Sequence, residues 1–151
     1  MNREEIKTRL EAILPGCTFE EGTAWLTLQC EAEGFLDTAR LLRQSQGLDF
    51  DYLFCVTAVD WKTHLTMVYH FTSTQHREPL VVKVKLDRSQ PVIDSLSSIW
   101  RTAEFHEREA YDLMGVLFTG HPDLRRLFLT PEHEGYPLRK DYEDPVNLIK
   151  L

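Results

Sequence analysis

Two stretches rich in β-branched and aromatic residues, Tyr52 to Trp61 and Leu65 to Thr72, are separated by only Lys62, Thr63 and His64. Apolar runs of strand length joined by so short a link close as an antiparallel hairpin. A lone hairpin is barely stable in water, so the rest of the chain has to widen it into a sheet and cover a face. Leu80 to Leu86 supplies another strand, alternating at its later positions so that Lys83 and Lys85 point to solvent. Trp25 to Cys30, preceded by the turn pair Glu21-Gly22, pairs with Cys17 to Glu20 as a second hairpin.

Helical spacing supplies the covering layer. Residues 2–13 place Ile6, Leu10 and Ile13 on one stripe, with Leu14 beside them, Asn2 as N-cap and Pro15-Gly16 as the stop. Residues 33–46 bring Phe35, Leu36, Ala39, Leu41 and Leu42 onto a helix that ends near Gly47. Asp94 or Ser95 caps a short helix through Trp100, and Thr102 caps another running to Met114, with Gly115 suited to the left-handed position after it. The order α-β-β-α-β-β-β-α-α describes an α+β two-layer domain: a mixed, mostly antiparallel sheet of about five strands with helices on one face. Residues 1–115 form this unit. Residues 116–151 hold four of the seven prolines, Pro122, Pro131, Pro137 and Pro145, and are expected to form an extended, irregular docking segment of the same domain. With Leu127, Phe128, Leu129, Tyr136 and Leu148 in it, that segment has to lie against this domain or another protein. Trp61, Trp100 and His70 are expected in or beside the core, and His64, His76 and His133 in solvent.

Composition excludes several functions. At 42% hydrophobic and 27% charged residues, 151 residues suit one soluble domain. The net charge of -7 contains no basic block: even in residues 61–100, where bases outnumber acids, the margin is only 5 to 3. Nucleic-acid surfaces cluster Lys and Arg, so none is expected to bind here. The N-terminus lacks a signal-peptide core, and no run approaches the roughly 20 apolar residues of a membrane helix. Cys17, Cys30 and Cys55 make no C-x-x-C or zinc pattern and are expected as reduced thiols.

Chemistry-bearing residues concentrate between His106 and Tyr142. His106, Glu109, His121 and Asp123 are metal-ligating types, which keeps an independent metal-dependent hydrolase as an alternative, although the helical HExxH spacing is missing because position 110 is Ala. No serine sits in a nucleophile elbow and no Gly-rich loop cradles phosphate. Arg108, Arg125, Arg126 and Arg139 interleaved with Glu107, Glu109, Asp112, Asp123 and Asp141, beside Phe118, Leu127, Phe128 and Tyr142, form an interface composition. The competing reading is that these charges pair internally, Glu104 with Arg108 and Arg108 with Glu109 and Asp112, and pin the segment to its own domain. Both can hold together.

The string HEREAYDLMGVLFTGHPDLRRLFLTPEHEGYPLRKDY closely resembles the signature of the 30 kDa subunit of respiratory complex I, which is the C-subunit of bacterial NADH-quinone oxidoreductase, and of its J-subunit relatives. The resemblance runs from about Trp100 to Tyr142, with weaker similarity from Leu53 to Trp61, Met67 to His70 and Ser95 to Trp100, so it covers nearly the whole sequence. It implies a subunit without cofactor in the peripheral arm at the cytoplasmic face of the membrane, attached to the membrane only through the complex. NADH, FMN, iron-sulfur clusters and quinone would belong to partner subunits. The implied neighbours are the hydrogenase-like D-subunit and the cluster-bearing B-subunit. By the same resemblance Glu107, Arg108, Glu109, Asp112, Gly115 and Gly120 shape the docking surface with His121, Pro122, Asp123, Arg125 and Arg126, followed by Pro137, Arg139, Lys140 and Asp141. Substituting Arg126 or Asp123 is then expected to weaken assembly while sparing the isolated fold. Met114 replaces a commoner Phe or Leu, Ala103-Glu104-Phe105 departs from the usual triplet, and the sequence stops soon after Asp144-Pro145, without the long extension of some members. Energy-converting hydrogenases and ferredoxin- or F420H2-linked dehydrogenases share the signature, so the electron donor stays open.

Overall fold

The computed structural model describes residues 2–144; Pro145 and Leu148 lie outside them. Helix α1 (Arg3–Ile13) begins at Asn2, whose side chain accepts from the Glu5 N–H while the Glu5 carboxylate accepts from the Asn2 N–H. This reciprocal cap satisfies two otherwise orphan donors. Strands β1 (Thr18–Glu20) and β2 (Leu26–Cys30) form the first hairpin, α2 (Phe35–Gln44) follows, and β3 (Tyr52–Asp60) and β4 (His64–Thr72) form the second. Strand β5 (Leu80–Asp87) completes a sheet of order β1-β2-β5-β4-β3, antiparallel except where β2 and β5 run parallel.

Leu28, Val82, Tyr69 and Val56 stand side by side across four strands, paired in register and fully or almost fully buried. Onto this row the helices bring Ile6 and Leu10 from α1 and Phe35, Ala39 and Leu42 from α2, with the Phe35 ring 5.0 Å from Tyr69. Each such large side chain contributes about 1.5–3 kcal/mol on burial. A bulge between Leu53 and Cys55 keeps both Leu53 and Val56 on the core side, opposite Phe71 and Tyr69. On the other side Trp25, Tyr52, Phe54 and His70 make an aromatic cluster, with Trp25 6.3 Å from Phe54 and 5.8 Å from His70.

The α+β, five-stranded mixed sheet agrees with the sequence reading; the segment before the last helix does not. Val92–Asp94 is a strand, β6, paired in parallel with β7 (Leu117–Thr119), and residues 97–102 form turns, not a helix. The described residues therefore contain three helices where four are expected. Ser95 Oγ accepts the Ser97 N–H as a cap would and the Trp100 N–H reaches the Leu96 carbonyl, but the run is a single turn, held by side-chain bonds from Trp100 Nε1 to the Phe50 carbonyl and from Thr102 Oγ1 to the Leu53 carbonyl. Helix α3 (Ala103–Met114) follows, with Gly115 at φ 78° closing it. Thr102 makes no side-chain cap: its backbone is helical, at φ -60° and ψ -25°, not extended as a cap requires, and its hydroxyl donates to the Leu53 carbonyl. Trp61 is a second correction. At 56% exposure it lies outside the core, because β3 ends at Asp60 and Lys62 turns the chain at φ 72°. Nor is His76 simply solvated: its Nε2 bonds the Leu48 carbonyl and its ring packs edge-on to Phe50. His133 likewise stacks on Tyr142.

Candidate functional site

Helix α3 packs on β3 and turns three ionisable side chains inward, Glu107 and Asp112 with no exposure and Arg108 with 8%. Arg108 and Asp112, one helical turn apart, grip the same loop. Arg108 donates from Nε to the Arg125 carbonyl at 3.2 Å and from Nη2 to the Arg126 carbonyl at 3.1 Å. Asp112 Oδ2 accepts the N–H groups of Leu127, Phe128 and Leu129 at 3.2, 2.6 and 3.1 Å, and Oδ1 accepts from Arg126 Nη1 at 3.1 Å. Burial raises the Asp112 pKa, but these donors outweigh it and hold the carboxyl below its ordinary range.

Arg126 extends the connection. Its Nη1 also reaches the Asp112 carbonyl, and its Nη2 donates to the carbonyls of His133 and Gly135. The Tyr136 ring lies between two guanidinium groups, 5.2 Å from Arg126 and 5.3 Å from Arg139. Arg139 Nε donates to the Met114 carbonyl at 2.7 Å and the Leu138 N–H to the Leu113 carbonyl at 3.0 Å. Gly115 allows this closeness: a Cβ there would lie 2.7 Å from the Tyr136 ring. The last tie is Asp60, which accepts from Arg88 and from the Lys140 N–H at 2.8 Å, while Arg88 also pairs with Asp141 at 3.1 Å. Arg88, with the Lys140 and Lys62 N–H groups, outweighs desolvation and holds Asp60 well below the usual carboxylate range.

Around Glu107 a second polar cluster closes the start of the segment. Its carboxylate accepts from Ser95 Oγ at 2.5 Å and the Leu96 N–H at 2.8 Å, yet burial pushes its pKa up to about 7. His121 donates from Nε2 to the Glu104 carbonyl at 2.9 Å and accepts the Asp123 N–H at Nδ1 at 3.0 Å. The same His121 Nε2 lies 4.0 Å from a Glu107 carboxylate oxygen.

The expected surface residues thus divide. Glu107, Arg108, Asp112, Arg126 and Arg139 bond within the chain, and Gly115 is buried beneath Tyr136. The expected Glu104 to Arg108 pairing gives way to the loop carbonyls, and Phe118, expected as an apolar anchor, is buried in the core. Glu109, Pro122, Asp123, Arg125, Lys140 and Asp141 face outward, the Arg125 and Asp123 side chains paired with each other at 2.9 Å. Among them stand exposed apolar side chains, Phe105 at 59%, Phe128 at 67% and Leu138 at 59%. No three His, Cys, Asp or Glu side chains among the described residues converge as a metal site. Asp60 and Arg88 are the structural members that the spacing of the charged segment does not reveal; a carboxylate ending an apolar strand run is the available signal for Asp60. No helix among the described residues is long and apolar enough to cross a membrane.

The family described as "Respiratory-chain NADH dehydrogenase, 30 Kd subunit" matches residues 28–146. A Phocaeicola vulgatus NADH-quinone oxidoreductase C/D-subunit is 45% identical over 113 residues, 74% of this chain and 22% of that protein. The NADH-quinone oxidoreductase C-subunit of Chloroherpeton thalassium is 40% identical over 133 residues, 87% of this chain and 51% of that one. The chain therefore spans about half, or less, of the length of these two relatives. The C-subunit of Moorella thermoacetica is 39% identical over 135 residues, with 88% of this chain and 90% of that one covered. Among solved structures, a membrane-bound sulfane sulfur reductase, an archaeal respiratory membrane complex, superposes with TM-score 0.80 at 26% identity over 93% of this chain and 85% of the matched one. The trypsin-resistant fragment of Nqo5 superposes with TM-score 0.70 at 26% identity, over 82% of this chain and all of the fragment.

Proposed function

The chain belongs to the 30 kDa subunit family of respiratory-chain NADH dehydrogenase, and we propose that it is a peripheral-arm subunit of an NADH-quinone oxidoreductase whose task is to hold neighbouring subunits. NADH, FMN, iron-sulfur clusters and quinone would be carried by those neighbours, and the chain would meet the membrane only through them, on the cytoplasmic face. The observation that carries this reading is the division within residues 116–144. One set of charges, centred on Asp112 and Arg126, fixes the backbone from the domain side. Phe128, Leu138, Arg125 and Lys140 are left facing out. A segment ordered in advance loses less conformational freedom on association, and exposed aromatics beside arginine suit a docking face. On the family resemblance, the occupant proposed is the hydrogenase-like D-subunit, with the B-subunit adjacent.

The test is co-purification of the tagged chain from native membranes. A hydrogenase-like large subunit and a cluster-bearing small subunit should accompany it; recovery of the chain by itself would overturn the assignment. A second reading, the equivalent subunit of another energy-converting respiratory complex, is favoured by the superposition on the sulfane sulfur reductase complex. NADH oxidation by the isolated assembly separates the two.

A further inference from the structure

At the edge of the sheet opposite β3, the first hairpin brings two thiols together. Thr18 pairs with Gln29, so Cys17, one residue before β1, stands across from Cys30 at the end of β2. Their Sγ atoms are 2.9 Å apart. Residues facing each other across antiparallel strands have Cα separations of about 4.5–5.5 Å, inside the range that a disulfide spans without backbone movement.

The two sulfurs have different surroundings. Cys30 is buried in the core at 7% exposure, whereas Cys17 is half-buried and lines an open cleft of about 370 Å³ between Pro15, Gly16, Glu31 and Leu41. The hydrogen bond with the Cys30 thiol draws the Cys17 pKa below the ordinary thiol value, outweighing burial and the nearby Glu31. That same bond, with burial, pushes Cys30 up. The contacts that hold the docking segment to α3 and Asp60 involve neither residue.

We propose that Cys17 and Cys30 are a redox-active dithiol, with Cys17 the thiol attacked first by a small hydroperoxide and Cys30 the resolving thiol. The Cys17 thiolate attacks the terminal peroxide oxygen, the O–O bond breaks, and the departing alkoxide or hydroxide takes up a proton. Cys17 is then a sulfenic acid. Cys30 sulfur attacks Cys17 sulfur, the S–O bond breaks, and the Cys30 proton leaves with the hydroxyl as water. Overall two thiols lose two electrons, the peroxide O–O bond gains them, and a disulfide joins β1 to β2. A small dithiol reductant reverses the change by exchange. Cys55 on β3 is the internal control: burial and the Glu109 charge push its pKa up, which disfavours its thiolate.

The full chain is treated with equimolar hydrogen peroxide, blocked by alkylation and mapped by peptide mass spectrometry without reduction. The expected product is a linked peptide pair containing Cys17 and Cys30, two hydrogens lighter than the free thiols, with Cys55 alkylated and the link removed by dithiothreitol. Cys30→Ser is expected to stop at a Cys17 sulfenic acid that dimedone captures. Oxidation of Cys55 ahead of the pair overturns the proposal. So does persistence of both thiols at Cys17 and Cys30, or conversion of Cys17 to sulfinic acid beside a free Cys30. The wild-type map decides between these outcomes even where a variant fails to fold.

Discussion

Asp112 Oδ1 and Arg126 Nη1 meet at 3.1 Å, and each residue also binds backbone across the join: Asp112 the N–H groups of residues 127–129, Arg126 the carbonyls of 112, 133 and 135. The ion pair therefore acts less as an isolated charge contact than as a bolt through α3 and the proline-punctuated segment. Its side chains are 0% and 11% exposed, so removing one leaves the other desolvated.

Asp112→Ala is expected to destabilise the isolated chain by about 3–5 kcal/mol, the cost of leaving a buried charge uncompensated, with unmet N–H groups adding to it. Arg126→Ala acts on the same bonds and should loosen residues 126–136 before the sheet. Limited proteolysis should cut this segment first in both variants, whereas Asp123→Ala, on an exposed side chain, should leave stability within about 0.5 kcal/mol of wild type. Equal resistance of Arg126→Ala and wild type to protease would show that the bolt is dispensable.

Glu107 gives the chain a pH dependence of definite sign. Its folded pKa of about 7 lies above the ordinary 4.5, so between those values the folded state holds more proton than the unfolded one and stability falls as pH rises. The contribution is fully present below pH 4.5 and lost once the pH has passed 7. It amounts to about 3 kcal/mol, at roughly 1.4 kcal/mol for each tenfold difference in proton affinity. His70, lowered by burial from 6.5, works in the opposite direction near its own pKa. The informative quantity is therefore the difference in urea midpoint between wild type and Glu107→Gln across pH 4.5 to 7. It should change steadily with pH; a constant difference would show that Glu107 is ionised throughout.

Gly115→Ala tests the packing of the segment against the helix end. The site has φ 78°, and the new methyl would lie 2.7 Å from the Tyr136 ring and 2.9 Å from Arg139 Nη2. The left-handed conformation alone costs roughly 1–2 kcal/mol for a residue with a Cβ, and Tyr136 has to leave its place between the two arginines as well. Thermal unfolding should show the loss, with increased hydrogen exchange at the Leu138 amide, whose bond to the Leu113 carbonyl depends on the same approach.

What the sequence made legible follows from where the physics is local. The hairpin of β3 and β4, the Asn2 cap and the glycine after α3 each depend on a few adjacent residues, and each is found. The parallel pairing of β2 with β5 joins segments distant in the chain, and three-residue strands such as β6 and β7 have no period to detect. Ser95 has good helix-starting chemistry and does accept the Ser97 N–H, but the run stays a single turn tied to distant backbone, Trp100 to the Phe50 carbonyl and Thr102 to the Leu53 carbonyl. The charged segment was recognisable as something requiring partners. Which charges find them inside the chain depended on Arg108 and Asp112 facing the same loop, a tertiary fact with no signature in spacing.

The outward side chains give the sharpest test of docking, because they can be changed without touching the bolt. Phe128 is 67% and Leu138 59% exposed, while the Phe128 N–H and Leu138 N–H hold the segment through backbone atoms that substitution leaves in place. Phe128→Ser with Leu138→Ser is therefore expected to shift unfolding by no more than about 1 kcal/mol, the sum of two surface changes. Anchor residues at an interface centre commonly cost about 2 kcal/mol or more each when truncated, so loss of both should abolish co-purification with partner subunits from membranes. Undiminished recovery of the partners by the stable double variant would move the docking face elsewhere, with the exposed Trp25 and Tyr52, beside half-buried Phe54, the next surface to alter.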